Sequence, residues 1–362
     1  MMVKNTKGGF LMKDLAALDK NFAVEEVDGS QFVFQNCLTP PFRVYGLIPP
    51  NEADPHFMRL PQSVADTVND QVQGLACCTA GGRVRFRTDS STVAIRVKMH
   101  NIYRGDHFPM TGSAGLDLYA DGLYRNTFRP PFTIKDGFVS KIDLRSRQMR
   151  EILIHMPLYT GVISLEIGLE PGSQLLPGTE YKYTTPVVYY GSSITQGGCA
   201  SRPGNCYQNI ISRKLDCDHV NLGFSSGALA EDVMIDYMTT LPMSIFVMDY
   251  DHNAPTPEYL ASTHEKMYRR FRAARPEVPI VFATMPKLVP SPDTQPRRDV
   301  IFGTYEKAKA EGDQNVYLVD GMEMMKLLGD DGGLVDNCHP NDIGFLCMAR
   351  AFGAVIQEIL EK

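Results

Sequence analysis

Four short segments of this chain carry residue types that could do covalent chemistry together. The first is Gly191-Ser-Ser-Ile-Thr195, directly after the apolar run Val187–Tyr190. A serine just past the carboxyl end of a strand, and before a helix, is placed like a nucleophile. Free N–H groups at such a helix start can stabilise an oxyanion. The same pentapeptide also reads as a Gly/Ser turn that caps a helix. The second segment is Asp336-Asn-Cys-His-Pro340. An acid three residues before a histidine lets one tight turn join the two groups, the carboxylate orienting Nδ1–H while Nε2 faces a nucleophile. Pro340 suits a helix start. The plain alternative is an Asx-type turn capping the last helix.

The third segment is Asn221-Leu-Gly-Phe-Ser-Ser-Gly227, where Gly223 can present its N–H at close approach. The fourth is Asp249-Tyr-Asp-His-Asn-Ala254, whose Asn253 amide can donate to an oxyanion. Each also reads as an ordinary βα loop. Their joint placement decides between the readings. The first, second, third and last strand-end loops carry Ser193, Gly223, Asn253 and Asp336 with His339, so all meet at one sheet edge. Together they make a Ser-His-Asp set with three oxyanion donors, the N–H groups of Ser193 and Gly223 and the amide of Asn253.

Neighbouring residues are weighed the same way. Ser192 is read as structural, because alternate residues of an extended turn diverge. Arg202 and His252 are candidate substrate contacts, against an interface ion pair for Arg202 and plain packing for His252. Asp249 and Asp251 lack the partner ligands that a metal needs. Asp330-Asp331 before Gly332-Gly333 reads as a solvated turn. Asp117 and Tyr119 are expected to make a structural or interdomain contact.

The elements that must position these groups change character near residue 180. Before it, Arg83–Arg87, Thr92–Lys98, Leu116–Tyr119 and Val162–Gly168 alternate with a period of two, as strands with one buried face do. Gly81-Gly82, Asp121-Gly122 and Pro130-Pro131 punctuate them. This predicts an antiparallel β-sandwich over 1–180. Pro171–Gly178 reads as a linker. Beyond it, apolar runs at Val187–Tyr190, Val220–Leu222, Ser244–Asp249, Pro279–Thr284 and Val316–Val319 alternate with helical patterns, clearest at Glu258–Arg275 and Asn341–Leu360. That predicts an α/β domain over 181–362, with a parallel sheet covered on both faces.

Composition narrows the class. The chain has 362 residues, 43% apolar and 22% charged, which suits about two folded domains. Its net charge of −6 supplies no basic surplus for nucleic acid. No run approaches the ~18 consecutive apolar residues of a membrane span, and Met1–Asp19 has no signal-like apolar core. The eight cysteines show no CxxC spacing and are read as reduced thiols of a cytoplasmic protein. Trp is absent.

The four segments resemble the blocks of the SGNH (GDSL-like) hydrolase superfamily, over Val187 to about Leu360. Gly191-Ser192-Ser193 stands where the family has Gly-Asp-Ser, so the nucleophile falls on Ser193. Gly223 takes the second-block glycine. Of the third block only Asn253 is kept, within Asp251-His252-Asn253-Ala254, while the last block is complete as Asp336 and His339. Tyr190–Gly204 and Gly115-Leu-Asp-Leu-Tyr119, with Thr79–Thr88, are similar to a subgroup whose catalytic domain follows a GxDLY sandwich. The resemblance implies a flavodoxin-like SGNH domain preceded by an all-β, jelly-roll-like sandwich domain. It also implies acetylhydrolase-like or carbohydrate-esterase chemistry.

The expectation is therefore a cytoplasmic serine esterase that removes small acyl groups, acetyl foremost, from a sugar or glycoside. Ser193 attacks, His339 is the base and Asp336 orients it; no metal and no cofactor is required. The alternatives are an acyltransferase with the same triad and a catalytically degenerate glycan-binding protein. The expected partner is a small acylated carbohydrate, with no nucleic acid and no membrane. The missing Trp, the largest aromatic stacking platform, favours a sandwich that walls a pocket over one that binds a polymer.

Overall fold

The computed structural model describes residues 24–329 and 332–362. The Asp330-Asp331 turn and the segment Met1–Asp19 lie outside the described residues. Eleven strands precede residue 180: β1 (Val24–Val27), β2 (Ser30–Asn36), β3 (Arg43–Tyr45), β4 (Arg83–Thr88), β5 (Thr92–His100), β6 (Leu116–Ala120), β7 (Leu123–Phe128), β8 (Gly137–Asp143), β9 (Arg150–His155), β10 (Gly161–Leu169) and β11 (Leu175–Pro177). They form two antiparallel sheets, ordered β1-β2-β10-β5-β8 and β11-β4-β9-β6-β7, with β3 paired to β4. The predicted linker is thus partly a strand, since β11 pairs with β4. Val84, Phe86, Leu118 and Ile154 of one sheet meet Val93, Ile95, Leu165 and Ile167 of the other in a shared core.

The α/β layer follows. Strands β12 (Tyr183–Gly191), β13 (Cys217–Gly223), β14 (Ile245–Asp249), β15 (Ile280–Ala283) and β16 (Val316–Val319) pair in parallel, in the order β13-β12-β14-β15-β16. Apolar residues alternate between its faces. Val188, Tyr190, Phe246 and Met248 pack under the helices 232–240, 257–274 and 294–310. Val187, Tyr189, Ile245 and Val247 pack under the helices 207–215, 321–325 and 342–360. The last helix, Asp342–Leu360, is long and apolar enough to cross a membrane by length and composition, with a hydropathy of 1.6. Its Phe345, Met348, Phe352 and Ile356 lie in that core, as a central helix of a folded domain requires.

Two features depart from the sequence pattern. The residues Leu60–Cys77, with the helices Gln62–Val68 and Asp70–Leu75, pack into the α/β core beside Leu222, Phe224 and Met234. In packing they belong to the α/β layer, although they precede most of the sandwich. The second departure concerns the face of β4, β6 and β9 that alternation leaves polar. Arg83, Asp117 and His155 on it are fully buried. The α/β layer covers them, so these strands have two buried faces.

That interface is ionic. Arg83 pairs with Asp218 and donates to the His219 carbonyl at 3.1 Å. Asp117 accepts from Arg202 at 2.8 Å, from the Gly204 N–H at 2.8 Å and from Thr127 at 2.7 Å. Removing one partner of such a buried pair strands the other charge in a dry site. Asp117→Asn is therefore expected to cost about 3 kcal/mol or more of unfolding free energy. In a urea-denaturation double-mutant cycle with Arg202→Ala, the double variant should be well short of additive. An additive result would remove the pair from the interface energetics.

Candidate active site

β12 ends at Gly191, in register with Gly223 of β13 and Asp249 of β14. A Cβ at position 191 would fall 2.2 Å from the Asp249 carbonyl oxygen and 2.2 Å from Thr195 Oγ1. Only glycine lets the chain turn back this closely. The four-residue helix Ser193–Gln196 then starts at once, with Ser192 Oγ accepting from the Ile194 N–H at 3.1 Å. Ser192 is a cap, and Ser193 is the first helical residue.

At the other end of the sheet edge, Asp336 and His339 come from one turn. The Asp336 carboxylate accepts the backbone N–H of His339 at 2.7 Å and of Cys338 at 3.1 Å. Its other oxygen lies 2.8 Å from His339 Nδ1, and His339 Nε2 lies 2.8 Å from Ser193 Oγ. An ionised Asp336 fixes the proton on Nδ1, which leaves Nε2 to accept from the serine hydroxyl. Partial burial resists ionisation of Asp336. The His339 and Cys338 N–H groups and the imidazole outweigh it and bring the pKa down to about 2. Lys287 steadies this turn by donating to the Asn337 carbonyl at 2.6 Å.

The nucleophile turn is held from several sides. Thr195 Oγ1 and the Tyr207 hydroxyl both donate to Asp249, at 2.9 and 2.8 Å. Gln208 and Asn221 donate to the Thr195 carbonyl, each at 2.7 Å. From the sandwich side, the Tyr159 hydroxyl donates to the Ser193 carbonyl at 3.0 Å, and Gln196 donates to the Leu158 carbonyl at 3.3 Å. The loop 101–109 also reaches the site, with the His107 ring 5.6 Å from that of His339. Sequence reasoning missed Tyr159 and His107, because nothing in their local pattern marks them.

Several expectations are corrected here. The Gly223 N–H donates to Asn221 Oδ1 at 2.9 Å, so it is not available to an oxyanion. Three residues on, Ser226 has a left-handed backbone, φ 57°, and its N–H meets no protein acceptor among the described residues. Asn253 uses one amide hydrogen on the Phe224 carbonyl at 2.7 Å, which leaves its second for a ligand. Arg202 is engaged at the interface, on Asp117 and the Tyr119 hydroxyl and over the Tyr124 ring at 3.8 Å, the ion-pair alternative weighed for it. His252 lies beside the turn, its Nδ1 3.8 Å from Cys338 Sγ. Burial and the cationic neighbours push it down to about 3, so its ring is neutral at physiological pH. Asp251 is held by Arg297 at 3.3 Å and by the Met285 N–H at 2.9 Å, which accounts for the acidic pair without a metal.

Two family models match the chain. Residues 184–357 match the GDSL-like lipase/acylhydrolase family, and residues 32–175 match the N-terminal domain of SGNH-hydrolase-type esterases. The chain belongs to the GDSL-like lipase/acylhydrolase family. It is a carboxylic ester hydrolase of the SGNH type with a GxDLY domain in front. No curated protein matches it. Among solved structures it is similar to a protein described as a GDSL-like lipase from Bacteroides ovatus, at 24% identity and a TM-score of 0.80, over 91% of this chain and 98% of that one. It is similar to the salicylyl-acyltransferase SsfX3 of a tetracycline biosynthetic pathway, at 21% identity and 0.74, over 90% and 97%. A family two carbohydrate esterase from Clostridium thermocellum, in complex with cellohexaose, follows at 15% and 0.56, over 79% and 94%. These likenesses show a shared fold.

Asp249 supplies a pH test. Burial raises its pKa to about 7, against the lowering effect of the Tyr207 and Thr195 hydroxyls. The unfolded chain releases that proton near pH 4. Between about pH 4 and 7 the native state therefore holds more protons, and stability falls as pH rises. Asp249→Asn should remove this contribution, of order 4 kcal/mol at the limit. Urea denaturation at pH 5 and pH 8 reads it as a smaller loss in the variant. An equal loss in both proteins would place the charge elsewhere.

Proposed function

We propose that this enzyme removes small acyl groups, acetyl foremost, from a sugar or glycoside through a serine acyl-enzyme. The observation that carries the reading is the relay of Ser193, His339 and Asp336, at 2.8 Å and 2.8 Å. His339 takes the proton of Ser193 as Oγ attacks the ester carbonyl, and Asp336 stabilises the imidazolium. Water then resolves the acyl-enzyme, with His339 again as base. The oxyanion is met by the N–H of Ser193, the free amide hydrogen of Asn253 and the N–H of Ser226, which takes the role first expected of Gly223.

The carbohydrate half of the reading draws on the fold shared with carbohydrate esterases and on the wall that the sandwich builds. Tyr103, Phe108 and Tyr159 pack ring to ring, with centroids 5.1 to 6.2 Å apart, beside the triad. Such a wall beside the triad suits a short substrate. The eight cysteines are free, which supports a reducing, cytoplasmic setting. Transfer to an alcohol is the second reading. It is favoured by the same wall, which can shield an acyl-enzyme from water, and by the fold shared with the salicylyl-acyltransferase.

Acetylated sugars and longer acyl esters, screened with and without alcohol acceptors, separate these readings. Free acetate as the main product supports hydrolysis, and an acylated acceptor supports transfer. Ser193→Ala should lose at least ~10³-fold in kcat while keeping the native melting curve. Retained turnover would overturn the nucleophile. Asn253→Ala is expected to lower kcat about 10²-fold with a much smaller change in KM, the mark of a donor that acts on the transition state.

A further inference from the structure

We propose that His56, Cys77 and His100 form a binding site for a borderline-soft transition-metal ion, zinc foremost, separate from the triad. The three residues come from different segments. His56 lies in the loop between β3 and the helix Gln62–Val68. Cys77 lies just past the helix Asp70–Leu75, and His100 ends β5. One donor atom from each lies within 4.8 Å of the other two. The two imidazole rings are 4.5 Å apart, centre to centre.

The chemistry of the donors selects the ion. Two imidazoles and a thiolate suit zinc and its neighbours, whereas magnesium and calcium require oxygen. Zinc bond lengths put tetrahedral donors roughly 3.5 Å apart, so closing a set that already lies within 4.8 Å needs a shift of at most about 1 Å. His56, on its loop, can supply that shift by side-chain rotation. Water would take the fourth position of a tetrahedral ion.

Independent observations point the same way. His100 Nε2 is buried and has no hydrogen-bond partner. A buried ring nitrogen left unpaired is destabilising, and a metal would satisfy it. The backbone leaves room for this ring, because a Cβ on Gly161 would fall 2.2 Å from that same nitrogen. Asn101 Nδ2 lies 3.6 Å from Cys77 Sγ and donates to it, as an outer partner that orients a sulfur ligand does.

The site also has a structural consequence. Cys78 bridges to Gly161, and Thr79 Oγ1 lies 3.0 Å from the Pro157 carbonyl and 3.2 Å from that of Thr160. Between them sits Tyr159, which holds the Ser193 carbonyl. An ion on Cys77 and His100 would therefore brace the segment that the sandwich lays against the nucleophile turn.

The test uses the full chain, stripped with a chelator and given one equivalent of cobalt(II). Binding should produce a thiolate-to-cobalt charge-transfer band and the intense visible bands of a tetrahedral site. Zinc should displace the cobalt, and should raise the melting temperature by roughly 3 °C at a hundredfold excess over its Kd. Cys77→Ser should abolish the charge-transfer band. His56→Gln, a loop change that leaves the core intact, should weaken zinc at least about tenfold even if Cys77→Ser folds poorly. His107, Cys199 and His339 form a second group of possible ligands at the triad. His107→Ala should leave the cobalt spectrum unchanged. A wild-type protein with no charge-transfer band would overturn the proposal. So would a band that survives Cys77→Ser and vanishes in His107→Ala.

Discussion

Everything at the active site depends on a helix too short to hold itself together. Ser193–Gln196 has four residues, and one turn of helix does not repay its own nucleation. Its geometry must come from outside. The side chains of Asp249, Gln208, Asn221 and Tyr207 hold it from the α/β layer. Tyr159 and the Leu158 carbonyl hold it from the sandwich. A serine hydroxyl must be held to within about 0.5 Å of its productive position against its base. Here that precision is shared by two cores, so the sandwich is part of the catalytic apparatus in a mechanical sense.

This dependence explains why the contact between the halves is ionic and buried. A purely apolar contact could slide, because hydrophobic burial is non-directional. The bonds from Arg83 to Asp218 and from Asp117 to Arg202 and the Gly204 N–H have fixed directions. Desolvating these charges is costly. In return the two layers have one register, and Tyr159 meets Ser193 rather than a neighbour. Arg202 lies seven residues after Thr195, on the connection that leaves the nucleophile helix, so locking it also limits where the chain beyond the nucleophile can go.

Part of this was legible in the sequence. Continuous apolar runs marked all five parallel strands, and the period-two runs marked the sandwich, because both patterns record burial directly. The Asp336–His339 turn was legible because three-residue spacing is itself a geometric statement. Of the polar positions on β4, β6 and β9, only Asp117 was legible, as a structural or interdomain contact, and it meets Arg202 and the Gly204 N–H across the interface. Arg83 and His155 have the spacing of a solvated face, and only the arrival of a second domain buries them. Gly223 misled for a local reason. Glycine suggested a free N–H, but Asn221, two residues earlier, claims it. The turn instead opens at Ser226, a residue type that gives no sign of a left-handed backbone. His56, Cys77 and His100 have no short spacing at all and meet only through the tertiary fold.

The choice between water and an alcohol as acyl acceptor turns on how wet the deacylating face of His339 is. Aromatic rings close one side of it, yet the segment that carries them is not a seal. The Asp106 side chain is fully exposed and lies 3.2 Å from His107, whose ring in turn neighbours His339. A carboxylate and an imidazole at the rim hold water rather than exclude it. An acyltransferase gains by the opposite arrangement, an apolar rim that keeps water from the acyl-enzyme until the acceptor has bound. The polar rim therefore weights the balance toward hydrolysis.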